Sequence, residues 1–249
     1  MDENTKRKFA DYAQNVSAKF HQSPETWLPR RFSVWRRAYK NLLPRIRAAK
    51  SILDYGCGAG EFLAFLAQHT SAELYGYDPS ATQLASAKQS CKHVSQIHLT
   101  EEIPTAQRFD MVFCNHVIEH VPDNDLAHFV SLLTGLVGLK GKLIIATPNG
   151  LNPLSYACFM ASDLTHLRMH SPYTIAELLA PVGFQLDGVY RELPQIYDFP
   201  SLLKTSVYFM MAPLLRVAIM SNLGGIRSLK YPLITAPTFY VVASCHSRS

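Results

Sequence analysis

Apolar residues along this chain fall into two alternating patterns. Segments at 51–55, 73–77, 109–115 and 141–147 are short and rich in aromatic, β-branched and leucine side chains, and a weaker segment of the same kind lies at 95–99. Short apolar runs of this sort read as strands buried on both faces. Between them, apolar positions recur at helical spacing. Phe62 to Gln68 follows the first strand, Asp123 to Gly135 opens on capping acids, and Ser171 to Gly183 opens on Ser-Pro and stops at glycine. These are start and stop signals for helices. Strands alternating with helices predict a doubly wound α/β sheet, and further strands at 184–190 and 238–244 bring the number to seven.

One segment breaks the alternation. Residues 199–220 are strongly apolar, but Lys204, Pro213 and Arg216 interrupt them, and no unbroken run approaches the ~20 residues that a bilayer core requires. Three roles stay open for this segment: core packing or dimerisation, a hydrophobic lid over an acceptor site, or an interfacial element that touches a membrane. Peripheral membrane contact or a homodimer is therefore expected to run through residues 199–222. The length of 249 residues and a hydrophobic share of 48% fit one domain with an insertion. Its parts are a helical basic preface (1–50), a central core (51–190), the apolar insertion (191–237), and a last strand and tail (238–249).

Charge changes the picture only at the front. Residues 1–50 hold 12 Lys/Arg against 4 Asp/Glu, and the remainder is slightly acidic. Arg30, Arg31, Arg36, Arg37, Lys40, Arg45 and Arg47 mix there with Trp27, Phe32, Trp35, Tyr39 and Leu42. That mixture reads as an amphipathic preface whose arginines are mostly a solvated face. Arg37 is the one singled out to reach a cofactor carboxylate or an acidic substrate. The five cysteines, Cys57, Cys91, Cys114, Cys158 and Cys245, form no C-x-x-C pair, and the charged amino terminus has no apolar segment of a secretory signal. Both features lead to the expectation of a cytoplasmic protein.

The densest chemistry lies in Ser51-Ile-Leu-Asp-Tyr-Gly-Cys-Gly-Ala-Gly-Glu-Phe-Leu63. Glycines between a strand and a helix let a ligand approach main-chain N–H groups, the usual seat of a nucleotide in such a sheet. A dinucleotide is disfavoured, because Glu61 stands where the last small residue of G-x-G-x-x-G belongs and where a pyrophosphate would sit. Asp54 at the strand end suits instead a ligand with a cationic amine, and S-adenosylmethionine is such a ligand. Asp78 ends the second strand 18 residues beyond Gly60, close to the spacing of a ribose-hydroxyl acceptor.

With these segments the chain resembles the class I S-adenosylmethionine-dependent methyltransferases. The likeness runs from about residue 50 to 190, through Leu53-Asp54-Tyr-Gly56-Cys-Gly58-Ala-Gly60, Gly76-Tyr-Asp78, Phe109-Asp110-Met-Val-Phe-Cys and Gly141-Lys-Leu-Ile-Ile-Ala-Thr-Pro-Asn149. Val117-Ile-Glu-His-Val121 resembles the branch with ubiquinone-biosynthesis O-methyltransferases and bacterial enzymes acting on small molecules or surface glycans. The resemblance implies a Rossmann-like seven-stranded sheet, mostly parallel, with strand seven antiparallel beside strand six. It also implies S-adenosyl-L-methionine as cofactor, held by Asp54, Gly56, Cys57, Gly58, Gly60, Asp78 and Asn115. Glu101 or Glu102, after strand three, is a further candidate for the adenine.

Four histidines gather near the carboxyl edge of the sheet, where ligands bind in this architecture. Methyl transfer is an in-line displacement that needs an aligned nucleophile and, for a hydroxyl acceptor, a base. His120 is the first candidate for that base and His116 the second, while His166 and His170 are candidates for substrate contact or proton relay. Asn149 faces either the same cleft or a turn. His116-Val-Ile-Glu119-His120 also matches the H-x-x-E-H pattern of inverted zinc peptidases, but that pattern belongs on a helix. Small-RNA 2′-O-methyltransferases resemble this region with a Glu-x-x-Glu-His group that holds a divalent metal; here His116 replaces the first glutamate. That exchange weakens the case for magnesium, though Glu119, His120 and His166 remain capable of holding a softer ion. No metal is assigned. The expected function is methyl transfer to oxygen of a small-molecule, glycan or lipid-linked acceptor, with nucleic acid not expected as a partner. The alternatives are an RNA 2′-O-methyltransferase with a divalent metal and a catalytically silent scaffold.

Overall fold

The computed structural model describes residues 32–191 and 236–246, together with 203, 206, 207, 210, 211, 213, 214 and 217. Trp27, Arg30 and Arg31 of the preface, and most of the apolar insertion, lie outside the described residues. Strands β1 (Ser51–Tyr55), β2 (Glu73–Tyr77), β3 (Ile97–Thr100), β4 (Phe109–Asn115), β5 (Val137–Pro148), β6 (Phe184–Arg191) and β7 (Thr238–Cys245) form one sheet in the order β3-β2-β1-β4-β5-β7-β6. The first five run parallel, and β7 is antiparallel to both β5 and β6. This is the topology implied by the resemblance.

Two strand starts differ from the sequence reading by more than one residue. β3 starts two residues late, because its ladder begins where Ile97 pairs with Leu74. β5 starts four residues early: Val137 pairs with Phe109 ahead of a register shift in the ladder. Gly141 permits that approach, since a Cβ there would lie 2.7 Å from the Phe109 carbonyl oxygen.

Helices α1 (Leu43–Ala48), α2 (Glu61–Ala67) and α3 (Ala81–Ser90) lie against one face of the sheet, with Ile46, Phe62, Phe65, Leu66 and Leu84 in its core. Helices α4 (Leu126–Gly135) and α6 (Pro172–Leu179) cover the other face with Phe129, Val130, Leu133, Ile175 and Leu179. Between them in sequence runs α5 (Pro153–Ser162). The helix expected over 123–135 divides: Asp123–Asp125 form a 3-10 turn, and Asp125 caps α4 without a side-chain hydrogen bond. α6 has the stronger start. Ser171 and Thr174 form a reciprocal capping box, and Gly183, at φ +78°, ends the 3-10 turn that follows the helix.

The preface packs as its apolar spacing requires. Residues 32–38 are helical, and Phe32, Trp35 and Tyr39 meet Phe62 and Phe65 at ring separations of 5.4–5.9 Å. Aromatic pairs at such distances each add about 0.5–1.5 kcal/mol beyond area burial. Arg36, Arg37, Lys40, Arg45 and Arg47 are exposed, as a solvated face would be.

The insertion both leaves and rejoins the sheet at the carboxyl edge of the parallel strands. Arg191 ends β6 opposite Phe239, and Thr238 opens β7 opposite Pro148. Its described residues between 203 and 217 are all helical and all exposed, Leu203, Val207, Met210, Met211, Leu214 and Val217 among them. Among the described residues no helix is long and apolar enough to cross a membrane.

Candidate functional site

The turn from β1 to α2 is built by its glycines. Gly56 has φ +80°, and a Cβ there would stand 2.4 Å from Val117 Cγ2. Gly60, at φ +77°, is packed by Ala87 and Cys91, each with an atom 3.0 Å from where its Cβ would be. The two glycines therefore admit, respectively, the segment after β4 and helix α3. Gly58 differs from both: a Cβ there would meet nothing within 4 Å, so this face of the turn is open to a ligand.

Hydrogen bonds tie the turn to β2. Gly56 N and Cys57 N donate to the Tyr77 carbonyl at 2.8 and 2.9 Å. Gly58 N donates to Asp78 Oδ2 at 2.9 Å, and Ser80 N to Asp78 Oδ1 at 2.9 Å. These bonds orient the Asp78 carboxyl; burial raises its pKa and the two backbone donors oppose that rise. Each carboxylate oxygen keeps a second lone pair for a ligand hydroxyl.

Asp54 is only 2% exposed at the end of β1. Burial and the nearby Asp78 push its pKa up to about 8, against the pull of the neighbouring Asn115 amide. Asp54 Oδ1 and Asn115 Nδ2 are both buried without a hydrogen-bond partner. An acceptor and a donor orphaned together beside an open glycine turn fit a ligand that carries both an ammonium and a carboxylate. The Cys57 thiol is buried alongside, and its pKa is raised by that burial and by Asp54.

Beyond β4 the chain turns sharply at His116, which has φ +55°, a conformation uncommon for a non-glycine residue. Its Nδ1 lies 3.2 Å from Glu119 Oε1, and 46% of its side chain is exposed. Glu119 is wholly buried in the 3-10 turn Ile118–His120, and Thr147 Oγ1 donates to its Oε2 at 3.1 Å. Burial alone would raise this carboxyl, but the His116 hydrogen bond and the charges of His116 and His120 hold it below its ordinary pKa.

The other histidines stand deeper. His120 is buried, with Nδ1 3.1 Å from the Thr165 carbonyl, and burial lowers its pKa against the attraction of Glu119. His166 Nδ1 lies 2.8 Å from the Phe159 carbonyl, and its ring is 4.8 Å from that of His120. His170 is buried with neither ring nitrogen bonded, in a bridge to Asn149. Glu119, His120 and His166 bring three ligand atoms within 4.8 Å of one another, a set of one oxygen and two nitrogens that suits a borderline ion such as zinc better than magnesium.

Four further sequence candidates take other places. Asn149 holds the chain's return into β7, receiving the carbonyls of Ala236 and Pro237 on its side-chain and backbone donors, both at 2.9 Å. Glu101 and Glu102 are exposed on the turn after β3. Arg37 is exposed on the solvent side of the preface and pairs with no described residue. Conversely, Tyr39 and Thr147 reach the site without having been singled out. The Tyr39 hydroxyl donates to Asn115 Oδ1 at 2.6 Å across 76 residues of chain, and no local spacing announces such a contact.

The chain is similar to several known proteins. A family model described as a methyltransferase domain matches residues 27–189. Ubiquinone biosynthesis O-methyltransferase of Rhodopseudomonas palustris (strain TIE-1) is 39% identical over 106 residues, covering 39% of this chain and 40% of that protein. The homologue of the same description from Bradyrhizobium diazoefficiens is 33% identical over 106 residues, again 39% and 40% of the two chains. The match thus spans about two fifths of those relatives. Among solved structures, a SAM-dependent methyltransferase from Archaeoglobus fulgidus superposes with a TM-score of 0.60 at 19% identity, covering 93% of this chain and 99% of that one. The DhpI–SAH complex gives 0.58 at 13% identity over all of both chains. Magnesium protoporphyrin IX methyltransferase from Synechocystis PCC 6803 with bound SAH gives 0.56 at 16%, covering 97% and 100%. With its strand order, its glycine turn and the two acids that flank it, the chain belongs to the methyltransferase-domain family and has the fold of SAM-dependent methyltransferases.

Proposed function

We propose that the protein methylates a hydroxyl oxygen of a small-molecule, glycan or lipid-linked acceptor, with His116 as the base. The observation that carries this reading is the His116–Glu119 pair: a half-exposed imidazole at the carboxyl edge, held through Nδ1 by a buried, ionised carboxylate. With its proton on Nδ1, the ring has its lone pair on Nε2, and Glu119 stabilises the imidazolium that forms when Nε2 takes a proton. S-adenosylmethionine supplies an electrophilic methyl group when bound. Asp54 and Asn115 meet the cofactor's charged end, the turn at Gly58 gives it room, and Asp78 accepts its ribose hydroxyls. His120 backs Glu119 from the interior, with His166 and His170 beyond it.

Oxygen as acceptor is supported by the description of the relatives as O-methyltransferases. A lipophilic acceptor and peripheral contact with membrane are supported by the exposed apolar side chains at 203–217, whose segment starts and ends at the carboxyl edge. The test is turnover against a panel of hydroxylated acceptors, with His116→Ala and His116→Gln measured beside wild type. Loss of turnover with unchanged affinity for S-adenosylhomocysteine is the expected result. Full turnover in both variants removes His116 from the chemistry.

A second reading rests on the ligand atoms of Glu119, His120 and His166. Here these three residues would hold a divalent ion, which would supply Lewis-acid activation of the acceptor hydroxyl in place of a base. Turnover that disappears on chelation and returns with zinc or manganese would favour it.

A further inference from the structure

Among the described residues of the preface, Tyr39 brings a polar group to the cofactor edge. Tyr39 is 2% exposed, and its ring is wedged among Phe62, Phe113 and Tyr240 at centroid distances of 5.4, 5.6 and 4.9 Å. The hydroxyl therefore has a fixed position, and it meets Asn115 Oδ1 at 2.6 Å. A separation this short belongs to O–H···O rather than N–H···O bonds. The distinction matters because an asparagine amide is two-faced: its oxygen accepts, its nitrogen donates, and a half-turn exchanges them.

A donor at one end favours the orientation that turns the amide oxygen toward it. The nitrogen then faces the other way, and Asn115 Nδ2 is the buried donor that lacks a partner, near the equally orphaned Asp54 Oδ1. The reversed amide would set a carbonyl oxygen against the Asp54 carboxylate, an arrangement that disfavours the ionised form. We propose that Tyr39 is a positioning residue for S-adenosylmethionine: it locks Asn115 with its NH2 end toward Asp54, so that the preface sets the polarity of the cofactor site. The inference is independent of which acceptor is methylated.

The experiment is calorimetric titration of the full chain with S-adenosylhomocysteine between pH 6 and 9, for wild type, Tyr39→Phe, Asn115→Ala and the double variant. Tyr39→Phe keeps the ring packing and removes only the donor. It should weaken binding at pH 7 by about tenfold, the scale of one hydrogen bond to a charged group. It should also move the pH at which affinity levels off upward, because Asp54 loses the amide that favours its charge. Asn115→Ala should show the same loss, and the double variant no more than either single one. Tyr240→Phe is the packing control: its hydroxyl, in the same aromatic cluster, donates to the Ala38 carbonyl at 2.8 Å. It should bind like wild type. Wild-type affinity in Tyr39→Phe, an equal loss in Tyr240→Phe, or additive losses in the double variant would each overturn the proposal. Should Tyr39→Phe fail to fold, Asn115→Asp takes its place; it keeps the side-chain shape without the NH2 donor, and normal binding by it would overturn the proposal as well.

Discussion

Cofactor binding should be coupled to a proton at Asp54. The carboxyl is buried beside Asp78, and its pKa is raised from 3.8 to about 8, so at pH 7 about nine molecules in ten carry it protonated. A cationic ligand group needs the carboxylate. Affinity for S-adenosylhomocysteine should therefore climb with pH below 8 and level off above it, gaining roughly fifty-fold between pH 6 and pH 8 if Asp54 alone titrates. Calorimetry in two buffers of different ionisation enthalpy reads the same event directly, with nearly one proton released per ligand at pH 7. Stability follows the opposite course. Because the folded pKa lies above the unfolded one, the contribution is fully present below about pH 4 and is lost as pH rises toward 8, with a total on the order of 5 kcal/mol. The ligand-induced rise in Tm should accordingly grow with pH, and Asp54→Asn should abolish both the pH dependence and the proton release. Flat affinity from pH 6 to 8 with no proton uptake or release would refute the reasoning.

Other expectations follow from individual contacts. Gly56→Ala forces a Cβ to 2.4 Å from Val117 at a positive φ; a destabilisation of about 2 kcal/mol or more in chemical denaturation is expected, and a wild-type midpoint would contradict the tight turn. His116→Ala should reduce kcat by about 10²–10⁴ while leaving the Kd for S-adenosylhomocysteine within twofold; a change in Kd alone would make His116 a binding residue. Ser171→Ala removes the capping box of α6 and should cost about 1 kcal/mol by thermal denaturation, without effect on cofactor affinity.

The parallel strands were legible because each is a short apolar run at a spacing that leaves room for a helix. β1, β2 and β4 lie where the pattern put them, and β3 and β5 depart chiefly at their starts. The β5 departure has a cause in strand pairing: from Phe109–Val137 to Met111–Lys142 the ladder advances two residues on β4 and five on β5, so β5 itself bulges before its apolar run begins. Asp54, Gly58 and Asp78 could be singled out because a turn between strand and helix concentrates its chemistry in adjacent residues. Asn115 was named through the resemblance, but its bond to Tyr39 is different in kind. Their bond links the preface to β4, and Tyr39 reads in sequence as one more aromatic on an apolar helix face. The balance between His116 and His120 was likewise hidden, since the two share a motif and differ in burial, which depends on Thr165 and the loop that carries it.

The return of the insertion has a meaning for how such an enzyme changes over time. Its two ends are pinned a strand apart, with Arg191 opposite Phe239, and Asn149 and Asn152 both holding the Ala236 carbonyl at the point of re-entry. Whatever lies between those anchors can lengthen, shorten or be replaced as a cassette while the sheet and the cofactor turn stay intact. On the proposed function, acceptor preference can thus drift among descendants, or be grafted between relatives, without rebuilding the turn proposed to hold the methyl donor.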